Sequence, residues 1–267
     1  MSDIQIIPTG GALGAEVRGL DLSQPLSAEQ VNRLRAAFLD HCVLFFRDQR
    51  ISEEDQVRFS RYFGNPVPHV REQPDRPIQE IFIISNVQEN GKPIGALGNE
   101  ELQFHSDLAY MQKPGSISIL YAVEAPKAGG DTLWANGYAS YDALDEDLKQ
   151  RLAGRRAIHR HSRPQQNPPV PASHPVFRTH PETGRKVLYV SPHFTKYIEG
   201  LGEEESRELL DRLIAHGTHP RFAWRHQWRV GDLLMWDNRC TMHRRETFED
   251  SQRRTMKRTQ MFGDEPY

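Results

Sequence analysis

The sequence predicts a mostly β fold with flanking helices, of the double-stranded β-helix or jelly-roll barrel type. Many short apolar segments are separated by Gly- and Pro-containing turns, a pattern typical of strands. Few segments have helical periodicity, and the regular alternation of strands and helices that builds a parallel sheet is missing. The 267 residues are enough for one large domain of this class, and we expect residues 1–267 to form a single one.

The first predicted elements are a strand and a helix. Residues 4–17 are strand-like and contain turn glycines. Ser27 and Gln30 have the spacing of a capping box, in which each side chain bonds the backbone N–H of the other residue. A helix is therefore predicted to follow, and its apolar face consists of Val31, Leu34, Ala37, Phe38 and Cys42.

A buried strand, a second helix and a long loop come next. Residues 43–46 are uniformly apolar, which is typical of a buried strand. Ser52 can cap a helix over 53–63, which Gly64 would end. Residues 65–104 are rich in Pro, Gly, Asn and charged side chains, and we expect this segment to form a lid over the active site.

The remaining segments complete the predicted barrel. Strands are predicted by short apolar runs at 81–84, 117–123, 132–135, 186–190 and 232–236. Helices are predicted over 142–152 and 203–216, and a proline-rich loop over 164–175.

Composition excludes several classes of partner. The net charge of −2 and the pI near 6.6 give no general attraction to nucleic acid or to anionic membranes. No apolar stretch approaches the roughly 20 residues of a membrane helix, and the N-terminus lacks the pattern of a signal peptide. Cys42 and Cys240 are expected to be free thiols. We therefore expect a cytoplasmic protein with a small-molecule substrate.

One short motif carries metal-binding chemistry. The triplet His105-Ser106-Asp107 is the only His-x-Asp of the chain, and residues two apart on a strand point to the same side. His243 follows the predicted strand at 232–236, and strands distant in sequence lie side by side in a jelly roll. Two imidazoles and one carboxylate form the facial triad that holds Fe(II) and leaves the opposite side open.

Other histidines offer alternatives that spacing does not eliminate. His180-Pro181-Glu182 is a second His-x-carboxylate, but its segment predicts a turn between strands, so we expect Glu182 to be solvated. Surface or packing roles are expected for His159, His161, His174, His193, His216, His219 and His226.

Several longer motifs decide between these alternatives. They are Val43-Leu44-Phe45-Phe46-Arg47-Asp48-Gln49, Phe104-His105-Ser106-Asp107, Gly129-Gly130-Asp131-Thr132-Leu133-Trp134, His174-Pro175-Val176-Phe177-Arg178-Thr179-His180-Pro181, Trp236-Asp237-Asn238-Arg239-Cys240-Thr241-Met242-His243, and Arg253-Arg254 with Arg258. In these motifs, almost from end to end, the chain resembles the Fe(II)- and 2-oxoglutarate-dependent dioxygenases of the taurine dioxygenase and phenoxyacetate dioxygenase group, the TauD/TfdA family.

The resemblance implies Fe(II), 2-oxoglutarate and O2 as cofactor, cosubstrate and oxidant. The implied iron ligands are His105, Asp107 and His243. Thr132 and Arg254 match the residues that bind the far carboxylate of 2-oxoglutarate, and the planar fork of a guanidinium suits a carboxylate. Arg258 matches a second arginine at the cosubstrate and substrate end.

The implied reaction hydroxylates a C–H bond and releases succinate and CO2, with C–O, C–S or C–N cleavage when the carbon bears a heteroatom. We expect a small organic acid as substrate, either an aryloxyalkanoate-like carboxylate or an alkylsulfonate-like anion. His69 and Arg258 are the expected anion contacts, and Phe104 can pack against the substrate or line the core. Glu100 and Glu101 would oppose a buried anion, so they disfavour taurine and leave an amine- or amino-acid-type substrate as an alternative.

Two further expectations stay open from sequence. A cupin-like hydrolase or isomerase could use the same triad with another metal, although it would give no role to Thr132 and Arg254. The family often assembles, so a homo-oligomer is also an open expectation.

Overall fold

The computed structural model describes residues 4–70, 73, 76–96 and 102–267. Its strands are β1 Gln5–Pro8, β2 Ala15–Arg18, β3 Val43–Phe46, β4 Phe82–Ser85, β5 Gln88–Glu89, β6 Lys92–Pro93, β7 Gly115–Glu124, β8 Thr132–Asn136, β9 Arg156–His159, β10 Ala172–Pro175, β11 Phe177–Thr179, β12 Lys186–Leu188, β13 Thr195–Ile198, β14 Ala223–His226, β15 Leu233–Asp237, β16 Thr241–Arg245 and β17 Thr255–Phe262. The α-helices are α1 Ala28–His41, α2 Glu53–Arg61, α3 Gly137–Asp142, α4 Glu146–Leu152 and α5 Glu203–Gly217.

A seven-stranded sheet is the largest element of the fold. Its strand order is β1-β2-β3-β15-β7-β17-β4, and all neighbours are antiparallel except β2 and β3. The described part of the chain also contains two three-stranded sheets, β14-β8-β16 and β10-β9-β13, and two hairpins, β11-β12 and β5-β6. The prediction of a mostly β fold with helices is confirmed.

The large sheet is buried on both faces because its strands alternate between two cores. In β3, Leu44 and Phe46 belong to the core that contains residues of α1 and α2. Val43 and Phe45 belong to the core on the other face, which includes Trp134 of β8. Successive residues of a strand point to opposite faces, so one uniformly apolar run serves both cores.

The helix starts follow the predicted capping chemistry. Ser27 and Gln30 form both bonds of a capping box at the start of α1. Leu34, Ala37 and Phe38 are buried, while Val31 is only half-buried. Ser52 caps α2 in the same way, with Asp55 as its partner.

Two predicted segments are corrected by the structure. The single helix expected over 142–152 is replaced by two helices. α3 starts earlier and ends at Asp142, and α4 begins only at Glu146, because the backbone at Asp145 is extended, with ψ of 143°. The proline-rich segment 164–175 is not loop throughout. Its end is β10, which pairs with β9 alone as an edge strand of its sheet, and an edge strand tolerates Pro175 because a missing N–H can face away from the neighbour.

No helix in the described part of the chain is both long and apolar enough to cross a bilayer. Cys42 and Cys240 are buried free cysteines, as predicted.

Candidate active site

Backbone pairing brings His105 next to His243, although the two residues are far apart in sequence. β16, which carries His243, pairs with β8. The open edge of β16 receives His105 as an isolated antiparallel bridge, with N–O distances of 3.0 Å and 2.8 Å between the two residues. Residues opposed in this way have neighbouring side chains, so the bridge places both imidazoles in one site.

Three donor atoms converge at this point. Oδ1 of Asp107 lies 3.9 Å from Nε2 of His105 and 4.0 Å from Nε2 of His243. These separations are too long for hydrogen bonds, and all three atoms lie within 4.8 Å of one another. Nδ1 of His105 lies 2.8 Å from the carbonyl oxygen of Gln103 and donates its proton there, so Nε2 keeps its lone pair. This donor set fits a divalent metal with two His and one carboxylate ligand.

Electrostatics keep the three groups in their ligating forms. Burial lowers the pKa of His243 to about 3, and the charge of His105 adds to this effect. Burial also lowers the pKa of His105. Burial alone would raise the pKa of Asp107, but Arg258, His243 and His105 reverse this and hold it below its ordinary value. Both imidazoles are therefore neutral and the carboxylate is ionised at neutral pH.

A second cluster of possible metal ligands, one His, one Asp and one Cys, has a structural role instead. His180, Asp237 and Cys240 also lie close together. Nδ1 of His180 accepts the backbone N–H groups of Glu182 and Thr183, so its proton sits on Nε2 and is donated to Asp237 at 3.0 Å. Arg239 binds the same carboxylate at 2.7 Å, which leaves no free ligand set there.

The segment around His180 is otherwise as predicted. It is the turn of the β11-β12 hairpin. Glu182 is half-exposed, but it also accepts a bond from Arg239 at 2.5 Å. It is therefore less fully solvated than the sequence suggested.

A cavity of about 750 Å³ opens beside the triad. It is lined by His69, Ile84, Ala96, Leu102, His105, Asp107, Leu108, Tyr110, Leu120, Thr132, Trp134, His161, Ser162, Arg163, His193, Phe194, Trp236, His243, Arg245, Arg254 and Arg258. All three triad residues and most of the other predicted site residues thus share one space.

Arg254 is buried on this cavity, and no carboxylate of the described residues pairs with its charge. Its side chain is 3 % exposed, and its Nε has no hydrogen-bond partner among the described residues. Burial and the neighbouring Arg245 lower its pKa to about 9, so the guanidinium still carries its charge at neutral pH. A buried cation of this kind favours an anion in the cavity.

A hydrogen bond from Trp228 constrains the direction in which the Thr132 hydroxyl can donate its proton. Nε1 of Trp228 donates to Oγ1 of Thr132 at 2.9 Å. An indole nitrogen can only donate, so the Thr132 hydroxyl remains available as a donor to a bound anion. Thr132 and Arg254 together offer donors suited to a carboxylate.

The predicted substrate residues lie in different places. Arg258 is buried, contacts Oδ1 of Asp107 at 3.4 Å and covers the Phe82 ring at 5.3 Å. His69 is half-buried on the cavity wall, with its ring centroid 4.1 Å from that of Phe82. Phe104 packs with Ala135 and Met242 and is not among the residues lining the cavity. Glu100 and Glu101 lie outside the described residues.

The sequence missed several residues of the cavity wall. His161 and His193, expected at the surface or in packing roles, line it, and so do Tyr110 and Arg245. They come from separate loops and strands, and no shared spacing marks them. The Arg245 guanidinium could have been noticed only through its place two residues after His243.

Comparison with known proteins decides the family. The model of "Taurine catabolism dioxygenase TauD, TfdA family" matches residues 5–260. The chain belongs to the TauD/TfdA family. It is therefore an Fe(II)- and 2-oxoglutarate-dependent dioxygenase, and the predicted family, reaction class and cofactors are confirmed.

Individual relatives are similar to this protein over nearly the whole chain. The alpha-ketoglutarate-dependent 2,4-dichlorophenoxyacetate dioxygenase of Cupriavidus pinatubonensis is 36 % identical, covering 96 % of this chain and 97 % of that protein. The crystal structure of a taurine dioxygenase from Burkholderia xenovorans has a TM-score of 0.87 and 37 % identity, covering 98 % of this chain and 90 % of that one. AAD-2 in complex with Mn(II) and N-oxalylglycine has a TM-score of 0.84 and 32 % identity, covering 99 % and 98 %.

Proposed function

We propose that this enzyme hydroxylates a small organic anion in the cavity beside His105, Asp107 and His243. The observation that carries this proposal is that one cavity holds both the triad and the buried Arg254, which has no carboxylate partner in the described part of the chain. The balanced reaction consumes the substrate C–H bond, O2 and 2-oxoglutarate. It gives the alcohol, succinate and CO2.

His105, Asp107 and His243 would hold the iron. When bound, Fe(II) supplies the activation of O2 that is coupled to oxidative decarboxylation of 2-oxoglutarate. The protein's part is to keep both imidazoles neutral, to present one carboxylate oxygen and to surround the site with Trp134 and Trp236. The Trp236 ring centroid lies 4.9 Å from that of His243, which leaves little room for water on that side.

Arg254 and Thr132 would bind the far carboxylate of 2-oxoglutarate. The guanidinium offers two parallel donors, and Thr132 adds a hydroxyl whose direction Trp228 already constrains. A carboxylate at this point would neutralise a charge that is otherwise costly to bury. Arg245, on the same cavity wall, adds positive potential.

Arg258 and His69 would receive the substrate's anionic group. Both lie on the cavity wall and both contact the Phe82 ring, so one aromatic side chain packs against both of them. A relative acts on 2,4-dichlorophenoxyacetate and a structural neighbour is a taurine dioxygenase, and each of these compounds carries one anionic group, a carboxylate or a sulfonate. We propose a carboxylate or sulfonate with a C–H bond next to a heteroatom, whose hydroxylated product can collapse with bond cleavage.

The remaining architectural expectations belong to the same proposal. We infer that the seven-stranded sheet and β14-β8-β16 are the two layers of a double-stranded β-helix, within a single domain over 1–267. Residues 65–104 would act as its lid, since His69, Ile84, Ala96 and Leu102 all reach the cavity. Phe104 as a substrate contact and assembly into a homo-oligomer stay predictions.

The test is succinate release from the purified enzyme with Fe(II), 2-oxoglutarate and O2. The substrates to screen are aryloxyalkanoates, sulfonates, amino acids and betaines. We expect turnover with the first or second class and a loss of at least about 10³-fold in His105→Ala and Asp107→Ala, because each removes a metal ligand. Turnover confined to amino acids or betaines would contradict the aryloxyalkanoate or sulfonate assignment and favour the amine- or amino-acid-type alternative. Activity retained in both variants would overturn the metal site.

A further inference from the structure

We propose that Ser118 and Asn238 are positioning residues that determine which oxygen of Asp107 faces the metal, so that this carboxylate binds through one oxygen only. The inference rests on the proposed function, because it concerns the surroundings of a proposed ligand. It follows from the directions of the hydrogen bonds: the bonds of the Asn238 amide fix the direction of the Ser118 hydroxyl, and this hydroxyl binds one oxygen of Asp107.

Two groups that can only donate fix the orientation of the Asn238 amide. Oδ1 of Asn238 lies 3.0 Å from the backbone nitrogen of Asp107 and 3.0 Å from Nε1 of Trp236. A backbone N–H and an indole N–H require an acceptor, so the atom facing them is the amide oxygen. Nδ2 therefore points the other way, toward Oγ of Ser118 at 3.0 Å.

The amide in turn fixes the direction of the Ser118 hydroxyl. Its oxygen accepts from Nδ2 of Asn238 and from Nε2 of Gln260, each at 3.0 Å. Both lone pairs are then used, and the single proton is left for Oδ2 of Asp107 at 2.7 Å. Ser118 and Asn238 are both 0 % exposed, so bulk water offers no alternative partner.

Oδ1 is consequently the oxygen of Asp107 that is presented to the metal. It faces Nε2 of His105 at 3.9 Å and of His243 at 4.0 Å, and its other contact is a long one to Arg258 at 3.4 Å. A carboxylate bound through both oxygens would occupy an extra coordination position. Chelation of 2-oxoglutarate and binding of O2 need the three positions that a facial triad leaves open. Holding Oδ2 away protects one of them.

Two substitutions disturb this hydrogen-bond relay, which runs from Asn238 through Ser118 to Asp107, while changing the size of the side chains little. Ser118→Ala removes the donor to Oδ2. Asn238→Asp is isosteric and replaces the N–H facing Ser118 by a carboxylate oxygen, which competes with Asp107 for the hydroxyl proton. Thr259→Val is the matched control, because Thr259 shares a buried hydroxyl pair with Ser60 at 2.6 Å on a neighbouring strand and does not touch Asp107.

The first measurement is calorimetric titration of the apoprotein with Co(II), a redox-stable substitute for Fe(II). We expect Ser118→Ala and Asn238→Asp to raise the Kd about 10- to 100-fold, the usual effect of losing a partner that orients a ligand. Thr259→Val should change the Kd by less than about threefold, although it lowers the Tm. Equal Kd values in wild type and both relay variants would overturn the inference.

The second measurement is the visible charge-transfer absorption of the anaerobic complex with saturating Fe(II) and 2-oxoglutarate. We expect a weaker band in the relay variants, since a carboxylate bound through both oxygens competes with chelation of the cosubstrate. An unchanged band would also overturn the inference. If Ser118→Ala does not fold, Asn238→Asp carries both tests. His105→Ala with wild-type affinity for Co(II) would instead overturn the proposed metal site.

Discussion

A buried charge without a counter-ion distinguishes Arg254 from its sequence neighbour. Arg253 is largely exposed and paired with Glu124 at 2.7 Å. Arg254 is buried on the cavity, and no carboxylate of the described residues pairs with it. Two adjacent arginines thus have opposite roles, because successive residues point to opposite sides of an extended backbone.

We predict that Arg254→Met raises the KM for 2-oxoglutarate about 10- to 100-fold, which is the range expected for losing charge-assisted hydrogen bonds. Arg254→Lys should recover only part of the affinity, because an ammonium lacks the planar fork. Arg253→Met is the control and should leave this KM near wild type. The measurement is the rate of succinate formation as 2-oxoglutarate is varied, and equal KM values for the two Met variants would contradict the assignment.

Thr132 allows a finer test of the same subsite. We predict that Thr132→Val raises the KM for 2-oxoglutarate by about fivefold, because it removes one donor of about 1 kcal/mol. Trp228→Phe keeps the Thr132 hydroxyl and removes only the group that orients it. The KM should then rise by less than about threefold. A larger effect from Trp228→Phe than from Thr132→Val would show that the hydroxyl does not contact the cosubstrate.

At the scale of elements, the active site depends on how β8 and β16 end. β8 runs directly into α3, and Asn136 caps that helix by accepting from the backbone of Tyr138 and Ala139. At the junction, the N–H of Gly137 donates to the carbonyl of Cys240 at 2.8 Å. This bond ties the start of α3 to the turn before β16, which carries His243.

We predict that Gly137→Ala destabilises the fold by about 1–3 kcal/mol through overpacking. An added Cβ would lie 2.6 Å from Cγ1 of Val187 and 2.7 Å from the Cys240 carbonyl oxygen. Gly64→Ala is the control, since its nearest contact would be an ordinary 3.4 Å to Met261. Urea unfolding gives both free energies, and similar values for the two variants would contradict the packing argument.

At the scale of the whole molecule, strands and loops from distant parts of the chain surround the site and line its cavity with several positive charges. Arg245, Arg254 and Arg258 all line the cavity. Ligands that bind only the folded state stabilise it by mass action. The apoprotein should therefore be less stable than its complex with a divalent metal and a dicarboxylate.

We predict that Mn(II) with N-oxalylglycine, each near 100 times its Kd, raises the Tm by about 5–10 °C, since this corresponds to roughly 2.7 kcal/mol per ligand. Asp107→Ala should lose the response to the metal, and Arg254→Met should lose most of the response to N-oxalylglycine. Thermal denaturation followed by circular dichroism measures all three. A wild-type shift in either variant would contradict the residue assignments.

Local sequence patterns determined much of this protein. The capping box at Ser27 and the helix cap at Ser52 form as predicted, because they depend on residues three apart. The apolar run at 43–46 is a strand buried on both faces. The proposed metal ligands and the proposed 2-oxoglutarate residues were predicted through motifs, and the structure brings them to one cavity.

Only the tertiary structure decided the rest, because those properties depend on contacts between distant segments. The helix expected over 142–152 is divided where Leu144 enters a core that includes residues of β12 and α5. His161 and His193 look like ordinary histidines in sequence, yet they line the cavity. The relay from Asn238 through Ser118 to Asp107 joins residues 120 and 11 positions apart. No periodicity can encode it, since its hydrogen-bond directions exist only once three strands of the large sheet are assembled.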